Sequence, residues 1–142
     1  MRGQKPISPA PFRFQLDLQS GVPVYRQLID QIQGGLATGS LAPGHQLPTV
    51  RQVAVDLAIN LNTVLRAYRE LEIRGVLETQ QGTGTFISHR QVKPDDSERE
   101  RQLEQLVGEF VARAGAAGFT LQELAQVLFD RYPTLGKSKS AR

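Results

Sequence analysis

Two short runs with helical apolar spacing lie between Thr49 and Gly75, and the gap between them, Ala58 to Leu61, holds only three or four residues. In the first run Val50, Val53, Ala54 and Leu57 share one face, and Pro48-Thr49 supplies a start signal, which predicts a helix from about Thr49 to Ala58. In the second, Val64, Ala67, Tyr68 and Leu71 share a face. Asn60 or Asn62 can cap this helix, and Gly75 can close it in the left-handed conformation. Two short helices joined that tightly form a helix-turn-helix unit.

The flanking segments extend the unit. Upstream, a helix is expected to start near Pro23, with Tyr25, Leu28, Ile29, Ile32 and Leu36 as its apolar stripe. Gly34 and Gly35 interrupt that stripe and are expected to weaken the last turns, before the turn Leu41-Ala42-Pro43-Gly44. Phe12, Phe14, Leu16 and Leu18 alternate with polar residues, as in a short strand or an extended arm laid on the core. Residues 1–11, rich in proline and polar side chains, read as disordered or extended. Downstream, Val76 to Thr79 and Thr85 to Ser88 are short β-type runs around Gln80-Gln81-Gly82-Thr83-Gly84. A hairpin placed directly after the second helix of such a unit is a candidate wing.

The polar stretch 89–97, with Pro94, is expected to be a domain boundary. Two amphipathic helices are predicted beyond it. Leu103, Leu106, Val107, Phe110, Val111 and Ala114 line the first, Gly115 to Gly118 break it, and Thr120 with Glu123 forms a capping box for the second. The second presents Leu121, Leu124, Ala125 and Leu128 and ends at Pro133. Helices of fewer than about 20 residues cannot close a core by themselves, so their stripes need the N-terminal module or a second copy of the chain. The second copy is preferred, with Leu103, Leu106, Val107, Phe110 and Val111 as the dimerisation stripe. The expected fold is therefore α+β and mainly α. It comprises a winged helix-turn-helix domain at 12–88 and a short two-helix C-terminal dimerisation tail at 97–133.

Composition narrows the function. Of the net charge of +3, residues 1–90 supply all: nine Lys/Arg against six Asp/Glu, while residues 91–142 hold eight against eight. That asymmetry suits a face turned to phosphates. The absence of cysteine excludes disulfides and thiolate metal sites, and the two distant histidines, His45 and His89, read as loop or hinge residues rather than ligands. No apolar run is long enough for a membrane span, so a cytoplasmic protein with no cofactor is expected.

Winding the second helix of the unit at about 100° per residue from Asn62 places Arg66 near 40° and Arg69 near −20°, with Thr63 near 100°. The apolar residues fall on the opposite side. Short hydrogen-bonding side chains at a helix start, followed by arginine, suit base edges in a major groove, although a merely solvated face would carry the same residues. Three features favour DNA. Arg51 lies in the first turn of the preceding helix, whose N-terminus suits a phosphate; the loop Gly82-Thr83-Gly84 has no bulky side chain to keep its backbone from a minor groove; and the order of elements fits one module.

At this point the residues resemble a known family. The blocks Leu47-Pro48-Thr49-Val50-Arg51-Gln52-Val53-Ala54, Asn60 to Glu72, Gly75-Val76-Leu77 and Gly82 to Ile87 are similar in order and spacing to the GntR family, over roughly residues 12–88. The stretch Pro23 to Leu28, the Asn62-Thr63-Val64 start and the short tail resemble its YtrA subfamily. The resemblance implies a homodimer that binds a palindromic operator in double-stranded DNA and represses transcription, often of transporter operons. By residue it marks Arg51, Asn62, Thr63 and Arg66 as DNA contacts, with Gly82 and Gly84 in the wing. Leu61 and Leu65 depart from it, standing where the subfamily often has proline and a polar or basic residue.

Two other readings compete. A winged-helix protein–protein module would use the same fold with the Asn62–Arg66 face incidental. An enzyme using Gly82-Thr83-Gly84 as a phosphate cradle would lack a P-loop lysine, a following helix and paired catalytic groups. The tail is also too short for the aminotransferase domain of the MocR group or the larger acid-binding domains of other GntR groups. A small-molecule effector is accordingly left unassigned.

Overall fold

Apolar periodicity in the N-terminal half becomes three helices that meet on their inward faces. The structure, a computed structural model, describes residues 11–89 and 95–136, and divides into two compact units between Gln91 and Val92. Apart from Pro11, the segment expected to be extended or disordered lies outside the described residues, as do residues 90–94 of the expected boundary.

In the first unit, α1 spans Val24–Thr38. Pro23 is its N-cap rather than part of its first turn, and Gly39, at φ +84, ends it. Gly34 and Gly35 do not interrupt it. Gly35 is buried, and a Cβ there would lie 2.8 Å from Leu41 Cδ1 and 3.2 Å from Phe12 Cε1. The missing side chain lets the turn and the arm close onto α1. That arm, residues 12–16, joins no sheet: Phe14 is buried, Phe12 and Leu16 pack against the core, and Leu18 is exposed. Buried Gln27 holds the stretch that follows. Its Oε1 accepts the Asp17 N–H at 2.8 Å, and its Nε2 donates to the Asp17 and Val22 carbonyls, each at 2.9 Å.

The helix-turn-helix forms as its sequence dictates. α2 spans Val50–Leu57, and the Thr49 hydroxyl accepts the Gln52 N–H at 3.1 Å as its cap. α3 spans Leu61–Ile73, and Asn60, not Asn62, caps it, accepting the Asn62 N–H at 2.7 Å. Only Ala58, Ile59 and Asn60 lie between them. α2 ends with Ala58 left-handed at φ +54, so that Ala58 and Ile59 donate to the carbonyls of Val55 and Ala54. α3 ends in the same way on Gly75, at φ +81, with Val76 donating to the Leu71 carbonyl at 2.9 Å.

The wing contains a strand the sequence did not announce. β1 (Gln46–Leu47), at two residues, is too short to show periodicity. It pairs with β3 (Gly84–Ile87), which also pairs with β2 (Leu77–Gln80), giving an antiparallel sheet in the order β1-β3-β2. Both hairpin strands are shifted by one residue from expectation: β2 starts at Leu77, and β3 starts at Gly84. The core joins Leu28, Ile29 and Ile32 of α1 to Val53 of α2 and Val64, Ala67, Tyr68 and Leu71 of α3, closed by Leu47, Leu77 and Ile87 of the sheet.

The second unit begins with α4 (Asp96–Ala116), at 21 residues slightly longer than expected. Asp95 caps it, accepting the Glu98 N–H at 2.9 Å, a bond that holds the Asp95 carboxyl below its usual range. A left-handed Gly118 terminates it, with Phe119 donating to the Ala114 carbonyl. α5 (Leu121–Arg131) opens on the expected reciprocal capping box of Thr120 and Glu123, and a single 3-10 turn, Pro133–Gly136, follows. Among the described residues of this unit only Ala114 is buried.

Ala58 is the one non-glycine residue with positive φ among those described. A left-handed L-residue costs roughly 1–2 kcal/mol, partly offset on substitution by the larger unfolded-state entropy of glycine. Ala58→Gly is therefore expected to stabilise the protein by about 0.5–1 kcal/mol, read as a higher urea midpoint at unchanged slope. A lower midpoint would contradict the strain.

Candidate nucleic-acid interface

Because Val64, Ala67, Tyr68 and Leu71 are buried, the other side of α3 is turned to solvent. There Asn62, Arg66 and Arg69, spaced by four and three residues, line one shallow groove with Leu65, Glu70 and Ile73. Thr63 is half-buried beside them, and Leu65 is half-buried at the edge of the packed face. The Glu70 carboxylate is engaged by Arg74 one turn away. Among the described residues Arg51, Arg66 and Arg69 form no ion pair, which leaves their charge available to an external anion.

Arg66 is not loose. Its guanidinium carbon lies 3.7 Å from the centroid of the Tyr25 ring, a cation–π contact. Tyr25 belongs to the first turn of α1 and packs, half-buried, against the core. Sequence reasoning placed it in the apolar stripe and gave it no part in the site. Its partner on a distant helix leaves no trace in local spacing.

Arg51 is exposed in the first turn of α2, two residues past the Thr49 cap, where unpaired N–H groups and the helix dipole attract anions. The start of α2 is held to α3 by a partly buried bond: the Tyr68 hydroxyl donates to the Pro48 carbonyl at 2.6 Å. Burial pushes the Tyr68 phenol well above its usual range, which keeps it a proton donor.

The three wing residues separate. The turn Gln80 to Thr83 is closed by the Thr83 N–H on the Gln80 carbonyl at 2.9 Å, and Gly82, at φ +80, occupies the position where a type II turn needs a glycine. Gly82 and Thr83 are exposed at the tip. Gly84 is not in the loop. It opens β3 at φ +134, and a Cβ there would lie 2.6 Å from Gln46 Nε2, which donates to the Thr83 carbonyl at 3.1 Å. Gln46 is a second site residue that sequence reasoning missed, since it reaches the wing only through the pairing of β1 with β3.

This arrangement has relatives. Residues 24–87 match the family described as bacterial regulatory proteins, gntR family. The HTH-type transcriptional regulator YhcF of Bacillus subtilis is 38% identical over 108 residues, covering 76% of this chain and 88% of that protein. The HTH-type transcriptional repressor YtrA of the same organism is 34% identical over 110 residues, covering 78% and 85%. The chain belongs to the GntR family. Among solved structures, YtrA from Sulfolobus acidocaldarius, a GntR-family transcription factor, superposes with a TM-score of 0.53 at 30% identity, covering 70% of this chain and 97% of that one. The GntR protein described here is thus a DNA-binding transcriptional regulator of the winged-helix type, and its relatives are regulators rather than enzymes. Membership of the family also sets aside the reading of the fold as a protein–protein module that does not bind DNA. No helix among the described residues is long and apolar enough to cross a membrane.

In this GntR wing, Gly84→Val introduces a β-branched side chain at positive φ and displaces Gln46. It is expected to cost about 1–3 kcal/mol of stability, seen as a lower midpoint in thermal unfolding followed by circular dichroism. An unchanged midpoint would mean that the contact with Gln46 constrains nothing.

Proposed function

We propose that this GntR regulator is a cytoplasmic homodimeric repressor of a palindromic operator. In this reading the DNA-binding domain is 12–88 and the dimerisation region 97–133. Asn62, Thr63 and Arg66 meet base edges in the major groove, Arg51 meets a phosphate, and the wing of Gly82, Thr83 and Gly84 approaches the minor groove. The observation that carries the reading is the α3 groove, where an amide and a stacked arginine that no acid neutralises stand one turn apart. Asn matches adenine and Arg matches guanine through paired hydrogen bonds. Repression is the activity named for YtrA of Bacillus subtilis and enters here from that relative.

Support for the dimer comes from α4. Leu103, Leu106, Val107, Phe110 and Val111 are 60%, 62%, 54%, 50% and 38% exposed, an apolar stripe that α5 leaves open. An open apolar stripe of this kind marks an association surface. A second copy covers two such stripes at once, and its two-fold axis matches a palindrome.

Two variants test the reading. Arg66→Ala is expected to cost about 1–3 kcal/mol of specific affinity and to relax preference at one position in each half-site. A uniform loss across all sequences would make Arg66 a phosphate contact instead. Phe110→Asp places a charge twice across an isologous contact, and is expected to give monomers in analytical ultracentrifugation while the circular dichroism of the winged helix persists. A variant that remains dimeric would move the interface away from this stripe.

A further inference from the structure

A free arginine samples many rotamers, and these must be frozen before its donors can meet a base edge. In this protein Arg66 is already partnered. Its guanidinium carbon sits 3.7 Å from the centre of the Tyr25 ring. A guanidinium held against a ring face spends its π surface on the ring and keeps its N–H donors, which lie in its plane, for a partner at the edge. The ring is itself anchored, because Tyr25 packs against the core below α1. Its hydroxyl has no hydrogen-bond partner among the described residues, so the contact with Arg66 depends on the ring and not on the oxygen.

We propose that Tyr25 is a positioning residue, an aromatic shelf on α1 that sets the Arg66 side chain for base readout. Base preference at the Arg66 position is then set by two helices together and not by α3 alone. The inference rests on the reading of α3 as the recognition helix and adds to it a specificity determinant outside the helix-turn-helix.

The test uses the full chain and a duplex probe chosen by the wild-type protein from a library with a randomised core. Affinity for that duplex, its single-base variants and a scrambled duplex is measured for Arg66→Ala, Tyr25→Phe, Tyr25→Leu and the Tyr25→Leu/Arg66→Ala double variant. Tyr25→Leu should weaken binding to the selected duplex by roughly 2- to 30-fold, relax preference at the positions that Arg66→Ala relaxes, and leave the scrambled duplex unaffected. Tyr25→Phe, which keeps the ring, should retain wild-type affinity and preference. The double variant should bind no worse than Arg66→Ala alone, since the shelf has no role without its arginine. Should Tyr25→Leu melt early, Tyr25→Met removes the ring while filling more of its space.

Three results overturn the inference. If Tyr25→Phe is as weak as Tyr25→Leu and the loss is uniform across sequences, the hydroxyl is a backbone contact and not part of a shelf. If the effects of Tyr25→Leu and Arg66→Ala add in full, Tyr25 acts independently of Arg66. If Arg66→Ala leaves every base preference intact, readout by Arg66 fails and the shelf falls with it. That last outcome is visible in the single arginine variant and so is distinct from a failure of the shelf alone.

Discussion

The outward face of α3 depends on the dryness of its inward face. Val64, Ala67, Tyr68 and Leu71 are buried against α1, α2 and the sheet, and each large apolar side chain contributes roughly 1.5–3 kcal/mol when removed from water. Rotating α3 by a single residue, about 100°, would expose part of that face and drive charged groups into the core. The groove of Asn62, Arg66 and Arg69 is therefore held in place by residues buried on the opposite side of the helix. The Tyr68 hydroxyl extends this control beyond its own helix. Its bond to the Pro48 carbonyl ties α3 to the residue preceding the α2 cap, so Arg51 and Arg66 are presented from one connected frame.

The same frame reaches the wing. β1 ends one residue before Pro48, and its pairing of Gln46 with Phe86 and Leu47 with Thr85 joins the entry to α2 with the hairpin. Gln46 then spans to the Thr83 carbonyl at the tip. Only two residues of strand make this link, yet they relate the wing tip to the helix-turn-helix. A wing attached through β2 alone would hang from the end of α3 by one antiparallel pair, and a lone two-stranded hairpin is marginal in water.

The tail obeys a different logic. Its helices are locally complete: Asp95 and Thr120 cap their starts, and Gly118 terminates α4. Their apolar side chains nevertheless lack a core among the described residues, with Phe110 and Leu106 half exposed or more. Helices with finished ends and an open apolar stripe are what the proposed dimer would draw on. The amphipathic pattern at Leu103 to Val111 announced that stripe, and the structure shows how little of it the tail itself covers.

Local sequence was enough for the features whose causes lie within a few residues. The helix starts at Thr49 and Thr120, the left-handed end at Gly75, the break between Gly115 and Gly118, and the inward faces of α2 and α3 all follow from capping chemistry and helical period, because their causes are at most one turn or two away. The choice of Asn60 over Asn62 as the α3 cap was made by the structure. Contacts between distant residues were decided only by the tertiary structure. Gly35 looked like a helix weakness and is a point of close approach to Leu41 and Phe12; Gly84 looked like a loop residue and opens a strand beneath Gln46; Tyr25 looked like core and carries the guanidinium of Arg66. Each depends on chain segments brought together by burial of the common core, a term that is non-directional and summed over the whole domain, and so leaves no local period to read.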